Sequence, residues 1–311
     1  MANRSIYTRA YSKSSAGQLI SGKGLKRYSL SGTELLGEFR KHADKWNREP
    51  TALVSVSDRI IDTVKRAFDK HYNDGEIPRD IWVVFVEVPA TIHETPARVH
   101  AARRLAEECE DLEPRLFYHE FVFEWAIPEK YMLHKVSLQT LMDRGLEWER
   151  YIIQRGPELP PLSTEELRSY IARDLQPTGP WYDSWEIGVH LGFFARNFGA
   201  RAPLDWIAHQ LFYDCVRPEI VAEDVVRLKY VRGHFETVDF YFFRELDHGI
   251  ETALCDWWLA DIDFFLKYEE FKERRDMMED GMVWDGTESE VSAKHEEIEV
   301  DIEAEAVMIG L

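Results

Sequence analysis

Apolar residues follow two periods along the first 140 residues, one of about 3.6 residues and one of two, which indicates alternating helices and strands. Two helix faces are predicted, at Leu35, Leu36, Phe39, Ala43 and Trp46, and at Ile60, Ile61, Val64, Ala67 and Phe68. Strands are predicted at residues 5–10, 51–55, 81–88, 120–126 and 131–138, and a further helix at 97–111. Ser57 or Asp58 is placed to cap the second helix. The pattern predicts an α+β domain over residues 1–143.

The pattern changes beyond residue 144, where aromatic-rich helical spacing predominates. Helices are predicted at 185–197, 203–215 and 249–278, and a short one begins at Ser163 with a capping box to Glu166. One strand is expected at 237–243. We therefore expect a mainly α-helical companion domain over residues 144–280, followed by an acidic, disordered tail over 281–311.

The net charge of −19 is concentrated in part at the end of the chain. Residues 279–311 hold eleven acids and one lysine, so this segment could fold on a basic protein partner. Such a charge disfavours nucleic acid and anionic membranes as partners, although a local basic patch could still hold one dinucleotide.

The spacing of the cysteines and the length of the apolar runs indicate the cellular compartment. Cys109, Cys215 and Cys255 lie far apart and form no CxxC pair, so neither a disulfide framework nor a zinc site is predicted. No histidine spacing indicates another metal site. Without an apolar signal segment or a run of about 20 apolar residues, we expect an intracellular, cytoplasmic protein.

Three short segments place polar residues at the ends of predicted strands. Arg9 lies in the segment YTRAYS, Ser55 and Ser57 in LVSVS, and Glu120 in YHEFVF. Singly, each has an ordinary structural explanation, such as a surface ion pair, a helix cap or a solvated strand edge. Their order along the chain is the feature that carries information.

This order resembles the R-S-E class of ADP-ribosyltransferases, which includes cholera toxin. The resemblance covers about residues 5–140. It includes the apolar strand IWVVFVEV between the second and third motifs and the pair Ile127-Pro128 after the glutamate. It implies a split β-sheet domain that binds NAD as substrate and needs no metal.

The resemblance also implies roles for the residues. Glu120 would stabilise the cationic ribose formed when nicotinamide leaves, and Ser55 would orient Glu120. Arg9 would bind the NAD diphosphate or the nearby ribose through its planar fork of donors. Ser57 and Tyr118 are further candidates for contact with the dinucleotide.

One departure limits the activity that the resemblance implies. Family members that modify arginine carry a glutamate two residues before the catalytic one, where this chain has Tyr118, a weak general base. Transfer to another acceptor, hydrolysis of NAD, or a catalytically silent module that binds NAD or a partner remain open. His119 is expected to face away from Glu120 if the segment is extended.

A second, weaker pattern lies in the predicted companion domain. Tyr241 and Glu245 have the Tyr-x-x-x-Glu spacing of cyclodipeptide synthases, which use aminoacyl-tRNA. The acidic net charge and the absence of a companion serine strand argue against this alternative.

Overall fold

A six-stranded antiparallel sheet forms the centre of the fold, with strand order β4-β5-β2-β1-β3-β6. The computed structural model describes residues 5–15, 17–44, 46–88, 98–146, 163–176 and 184–255. The strands are β1 (Ser5–Ser12), β2 (Leu53–Ser57), β3 (Ile81–Val88), β4 (Val99–Ala101), β5 (Glu120–Glu124) and β6 (Met132–Ser137). Together with the helices, this sheet confirms a mixed α and β protein with antiparallel strands.

Helices lie between the strands and after them. They are α1 (Gly32–Ala43), α2 (Ile60–Tyr72), α3 (Ala102–Glu108), α4 (Leu138–Asp143), α5 (Thr164–Asp174), α6 (Ser184–Arg196) and α7 (Leu204–Cys215), and residues 240–253 are also helical. The predicted helix at 97–111 is wrong at its start, because residues 99–101 extend and pair with β5. The capping box of Ser163 and Glu166 is confirmed at the start of α5.

The sheet consists of two halves that are joined weakly. β1 pairs with β3 along its whole length, from Ser5–Val88 to Ser12–Ile81. In contrast, β1 pairs with β2 at one position only, Thr8 with Ser57. The halves β4-β5-β2 and β1-β3-β6 therefore diverge beyond this pair, and a gap opens between β1 and β2.

Apolar residues cover both faces of the sheet. On one face, Leu35 and Phe39 of α1 pack with Leu105 of α3 against Leu53 and Val122. The opposite face carries a second cluster, formed by Tyr11, Val54, Val56, Val84, Val86, Val88, Phe123 and Ile127. Because side chains alternate between the faces of a strand, Ser55 and Ser57 project from the helix-covered face.

The start of α2 differs from the prediction that Ser57 or Asp58 caps it. Its N-terminal flanking residue is Arg59, which makes no side-chain capping bond. Instead, Asp214 of α7 accepts a hydrogen bond from the Ile61 N–H at 3.1 Å. Ser57 Oγ accepts one from the Arg59 N–H at 3.1 Å, which shapes the turn before the helix.

The second half of the described chain is less helical than predicted. Residues 216–238 form a three-stranded antiparallel sheet of β7 (Val216–Ala222), β8 (Val225–Tyr230) and β9 (Phe235–Val238). Burial alternates along β8, because Val226, Leu228 and Tyr230 are buried while the residues between them are exposed. The buried side chains stabilise this small sheet. The expected strand at 237–243 is thus displaced, and the helix begins at residue 240.

Helices α6 and α7 confirm the predicted helices at 185–197 and 203–215, and they pack on the central sheet. Phe85 of β3 makes edge contacts with Phe198 and Trp206. The described residues up to 253 pack into one compact unit, and the predicted boundary at 143 falls inside it. The predicted tail at 281–311 lies outside the described residues. Among the described residues, no helix is both long and apolar enough to cross a bilayer.

Candidate functional site

Glu120 is the first residue of β5, and it lies directly opposite Ser57 of β2. Paired residues of antiparallel strands project from the same face. Glu120, Ser57 and Ser55 therefore share the helix-covered face of the sheet. The side chain of Glu120 is 22% exposed, so solvent still reaches it.

The carboxylate of Glu120 has partners from two elements. Its Oε1 lies 3.5 Å from His42 Nε2 at the end of α1, and Ser55 of β2 is close enough to favour its ionised form. Burial raises the pKa of Glu120. The hydrogen bonds from His42 and Ser55 and the positive charge of Arg66 outweigh burial and lower the pKa below its ordinary value. Glu120 is therefore ionised at neutral pH.

The guanidinium of Arg9 occupies the gap between β1 and β2. Its Nη1 donates to the Ser55 carbonyl at 2.6 Å, Nε donates to the Gln18 carbonyl at 2.9 Å, and Nη2 donates to the Gly17 carbonyl. Burial and the charge of Arg66 lower the pKa of Arg9 to about 10, so it stays charged at neutral pH. Arg9 thus joins the two halves of the sheet where their strands do not pair.

The structure brings Arg9, Ser55 and Glu120 together. Arg9 Nη1 lies 3.4 Å from Ser55 Oγ, and Ser55 in turn lies beside Glu120, whose pKa it helps to lower. A cavity of about 340 Å³ is lined by Arg9, Ser55 and His42, whereas Glu120 lines a neighbouring cavity of about 420 Å³. The three residues form one series of contacts that lies between two cavities.

The other predicted residues lie at the larger of these two cavities. Ser57, Tyr118 and His119 line it together with Glu120. The Tyr118 ring is 57% exposed and lies beneath the Arg103 guanidinium, 4.9 Å away. His119 Nδ1 lies 2.8 Å from Asp58 Oδ1. His119 is expected to face away from Glu120 only if the segment is extended, and this condition is not met, because His119 lies in a turn before β5 and lines the same cavity as Glu120.

Sequence reasoning missed two residues of the site, His42 and Arg66. His42 lies in the last turn of α1, and Arg66 lies on the exposed side of α2. Their sequence spacing to Glu120 follows no motif. The only available signal was their position on the polar faces of two predicted amphipathic helices, a position that most surface residues share.

The Tyr241 and Glu245 pair lies apart from this site. Both residues belong to the helical segment 240–253, and neither lines the cavities described here. The Arg244 guanidinium lies over the Tyr241 ring, 4.2 Å from its centre. In the part of the chain that the structure describes, no group of histidine, cysteine or acidic residues is placed to hold a metal ion.

Comparison with protein-family models, curated proteins and solved structures gives no match. The functional argument therefore depends on the geometry of this site and on the order of its motifs.

Proposed function

We propose that this chain is an NAD-dependent, ADP-ribosyltransferase-like enzyme that passes ADP-ribose to an acceptor or to water. The observation that carries the proposal is the series of contacts from Arg9 through Ser55 to Glu120. These residues come from β1, β2 and β5, and the motif order selects them without any knowledge of the fold. If the motif match were a coincidence of residue types, nothing would require these three residues to lie next to one another.

The shape of the sheet also supports the proposal. The resemblance implies a split sheet, and here the two halves pair only at Thr8 and Ser57. A gap between strands gives an extended ligand access to side chains from both halves. The two cavities beside the contact series have volumes within the usual range of small-molecule sites.

The chemistry assigned to Glu120 follows from its ionised state. The bond between C1′ of the ribose and the nicotinamide nitrogen breaks, and its electron pair leaves with nicotinamide, which becomes neutral. Positive charge develops on C1′ and the ring oxygen, and the Glu120 carboxylate stabilises it. Water or an acceptor hydroxyl then bonds to C1′ and releases its proton to solvent.

The contacts of Arg9 favour a positioning role over direct contact with the diphosphate. All three of its nitrogens donate to backbone carbonyls of Gly17, Gln18 and Ser55. The arginine therefore fixes Ser55, and we assign to Ser55 the role of supporting the neighbouring Glu120 carboxylate. This replaces the role expected of Arg9 from the sequence.

Nicotinamide release from NAD tests the proposal. We expect the wild-type chain to release nicotinamide and Glu120→Gln to be slower by about 10²- to 10³-fold, as for removal of one stabilising group in a transition state. Glu113→Gln is the matched control, because Glu113 is an exposed residue seven positions earlier. Equal rates for the wild type and Glu120→Gln would refute the assignment of Glu120.

One observation favours a second candidate, a catalytically silent module that binds NAD or a partner. The guanidinium of Arg9 is already bonded within the protein, so it contributes little to a ligand. If the wild type binds NAD by calorimetry and releases no nicotinamide with any acceptor, this second candidate replaces the first.

A further inference from the structure

The cavity beside Glu120 is lined by an excess of positive charge. Four arginines line it. Arg59 precedes α2, Arg66 lies on the exposed side of α2, Arg115 lies before β5, and Arg168 belongs to α5. Three carboxyl groups line the same cavity: Asp62, Glu120 and Glu165. The arginines are thus more numerous than the acids, although acids predominate in the whole chain.

A second cavity, of about 610 Å³, continues from the first. The two share five residues, among them Arg59, Arg168 and Tyr118. The second cavity adds three bases from the small sheet and its turn, Arg217, Lys229 and Arg232, and one further carboxyl group, that of the buried Asp214. We call the two cavities together the basic groove.

Several of these bases have weak partners or none within the protein. Arg59 lies 3.9 Å from Asp62, which is a loose ion pair. Arg115 makes no hydrogen bond or ion pair with the described residues, and Arg168 Nε is buried without a hydrogen-bond partner. Asp62 Oδ1 at the same cavity is likewise buried without a partner. An unmatched donor is costly, and the negative charge of a ligand in the groove would offset the cost at Arg168.

The net charge of the chain does not forbid an anionic ligand here. Charges separated by more than about 8 Å are largely screened at physiological salt. The potential inside the groove is therefore set by the bases that line it. An extended polyanion would also meet the acidic remainder of the surface, whereas a small anion would meet only the groove.

The groove also offers aromatic surface beside its bases. Tyr118 and Tyr213 both line it, with 57% and 49% of their surface exposed. Arginine forks bind phosphate oxygens, and an exposed tyrosine ring can stack on a nucleobase. These two features match the two parts of a nucleotide, its phosphate and its base.

We propose that the basic groove binds the phosphate of the ADP-ribose acceptor, and that this acceptor is a single nucleotide or a similar small phosphate ester. The inference rests on the proposed function, since it names the acceptor of that same site. The position of Glu120 at the edge of the groove brings the acceptor next to the ribose that loses nicotinamide.

Binding of uridine 5′-monophosphate to the full chain, measured by calorimetry, tests the proposal. This probe has no adenine, so it does not imitate the ADP half of NAD. We expect the monophosphate to bind at least about ten-fold more tightly than uridine. Arg115→Gln and Arg168→Gln should each weaken its binding about ten-fold. Arg104→Gln, an exposed arginine of α3, is the matched control and should leave binding unchanged.

Three results would overturn the proposal. The first is equal binding of uridine and its monophosphate, or no binding of either by the folded wild-type chain. The second is displacement of the probe by a carbocyclic, non-cleavable NAD analogue, which would assign the groove to NAD itself. The third is binding of an oligouridylate more than about ten-fold tighter than the monophosphate, which would indicate a nucleic acid.

The two proposals fail separately. If nicotinamide is released but the monophosphate does not bind, the acceptor proposal alone is overturned. If the monophosphate binds through Arg115 and Arg168 but no nicotinamide is released, the proposed function fails and the phosphate site stands. Thermal unfolding of each variant shows whether it is folded before binding is compared.

Discussion

Asp214 shows how one buried carboxyl group connects distant parts of the chain. Its Oδ2 accepts a hydrogen bond from Ile61 N–H at the start of α2, and its Oδ1 accepts one from Gln210 Nε2 at 2.9 Å. Burial raises the pKa of Asp214 to about 8, despite these two bonds. The group is therefore protonated in the folded protein at neutral pH and ionised in the unfolded chain.

The pH dependence of stability follows from this difference. Because the folded pKa lies above the ordinary value of 3.8, the stabilisation is present at low pH. It is lost as the pH rises from about 4 through about 8, by at most ~1.4 kcal/mol for each pH unit. Asn does not titrate, so Asp214→Asn should gain stability relative to the wild type between pH 5 and pH 8 in urea unfolding.

Asp224→Asn is the control for this comparison, because Asp224 is exposed in the turn between β7 and β8. Its stability relative to the wild type should stay constant over the same range. A constant difference for Asp214→Asn as well would contradict the raised pKa.

The two kinds of helix cap show what sequence can predict at the scale of residues. The bonds between Ser163 and Glu166 span three positions, so the motif could be identified directly. The cap of α2 comes from Asp214, 153 positions after Ile61. No local pattern specifies such a partner, because it depends on how α7 packs against α2.

At the scale of elements, glycines set the distance between α6 and the helical segment 240–253. A Cβ on Gly188 would lie 2.1 Å from the Leu246 carbonyl oxygen, and one on Gly249 would lie 2.0 Å from the Trp185 carbonyl oxygen. Both contacts are with backbone, which cannot rotate away. The two helices therefore pack backbone to backbone at this crossing.

Gly188→Ala should destabilise the protein by about 3 kcal/mol in urea unfolding, because the two helices must separate. Gly37→Ala is the matched control. Gly37 also lies within a helix, α1, but a Cβ there meets no atom within 4 Å. The control should stabilise the protein by about 0.5–1 kcal/mol, since alanine favours the helix. A loss below about 1 kcal/mol for Gly188→Ala would show that the crossing is looser than described.

The small sheet shows why the second half of the chain was predicted less well. The alternation of Val226, Leu228 and Tyr230 is a strand signal, and Arg232 and Gly233 both adopt positive φ in the turn that follows. The signal was visible in the sequence, but each strand is short and the aromatic helices around it are stronger patterns. In the first half, the long apolar run of β3 made the prediction easier.

At the scale of the whole molecule, the order of motifs predicted part of the candidate site. Arg9, Ser55 and Glu120 could be identified because each lies at a strand with a recognisable pattern. The arginines of the basic groove could not, because they come from elements without a shared spacing. Arg115 lies in a loop and Arg168 in α5, and only the packing of α5 beside α2 and the loop brings them to one cavity.

The connection between the halves of the sheet depends on Arg9, and Arg9→Lys tests this. Lysine keeps the charge but lacks the planar fork, so it cannot reach the carbonyls of Gly17, Gln18 and Ser55 together. The part-buried carbonyls of Gly17 and Ser55 would lose their donors, which should cost about 2–4 kcal/mol in urea unfolding.

The matched control is Arg98→Lys, since Arg98 also donates to two carbonyls, of Arg27 and Tyr28, but through hydrogen bonds that are both exposed to solvent. There water replaces the lost donors, and the cost should stay below about 1 kcal/mol.

Hydrogen exchange locates the effect of Arg9→Lys. Ser21 N–H bonds to the Trp125 carbonyl at the end of β5, so its exchange should accelerate when the loop after β1 loosens. If Arg9→Lys is no more destabilising than Arg98→Lys, the single pair of Thr8 and Ser57 suffices to join the halves.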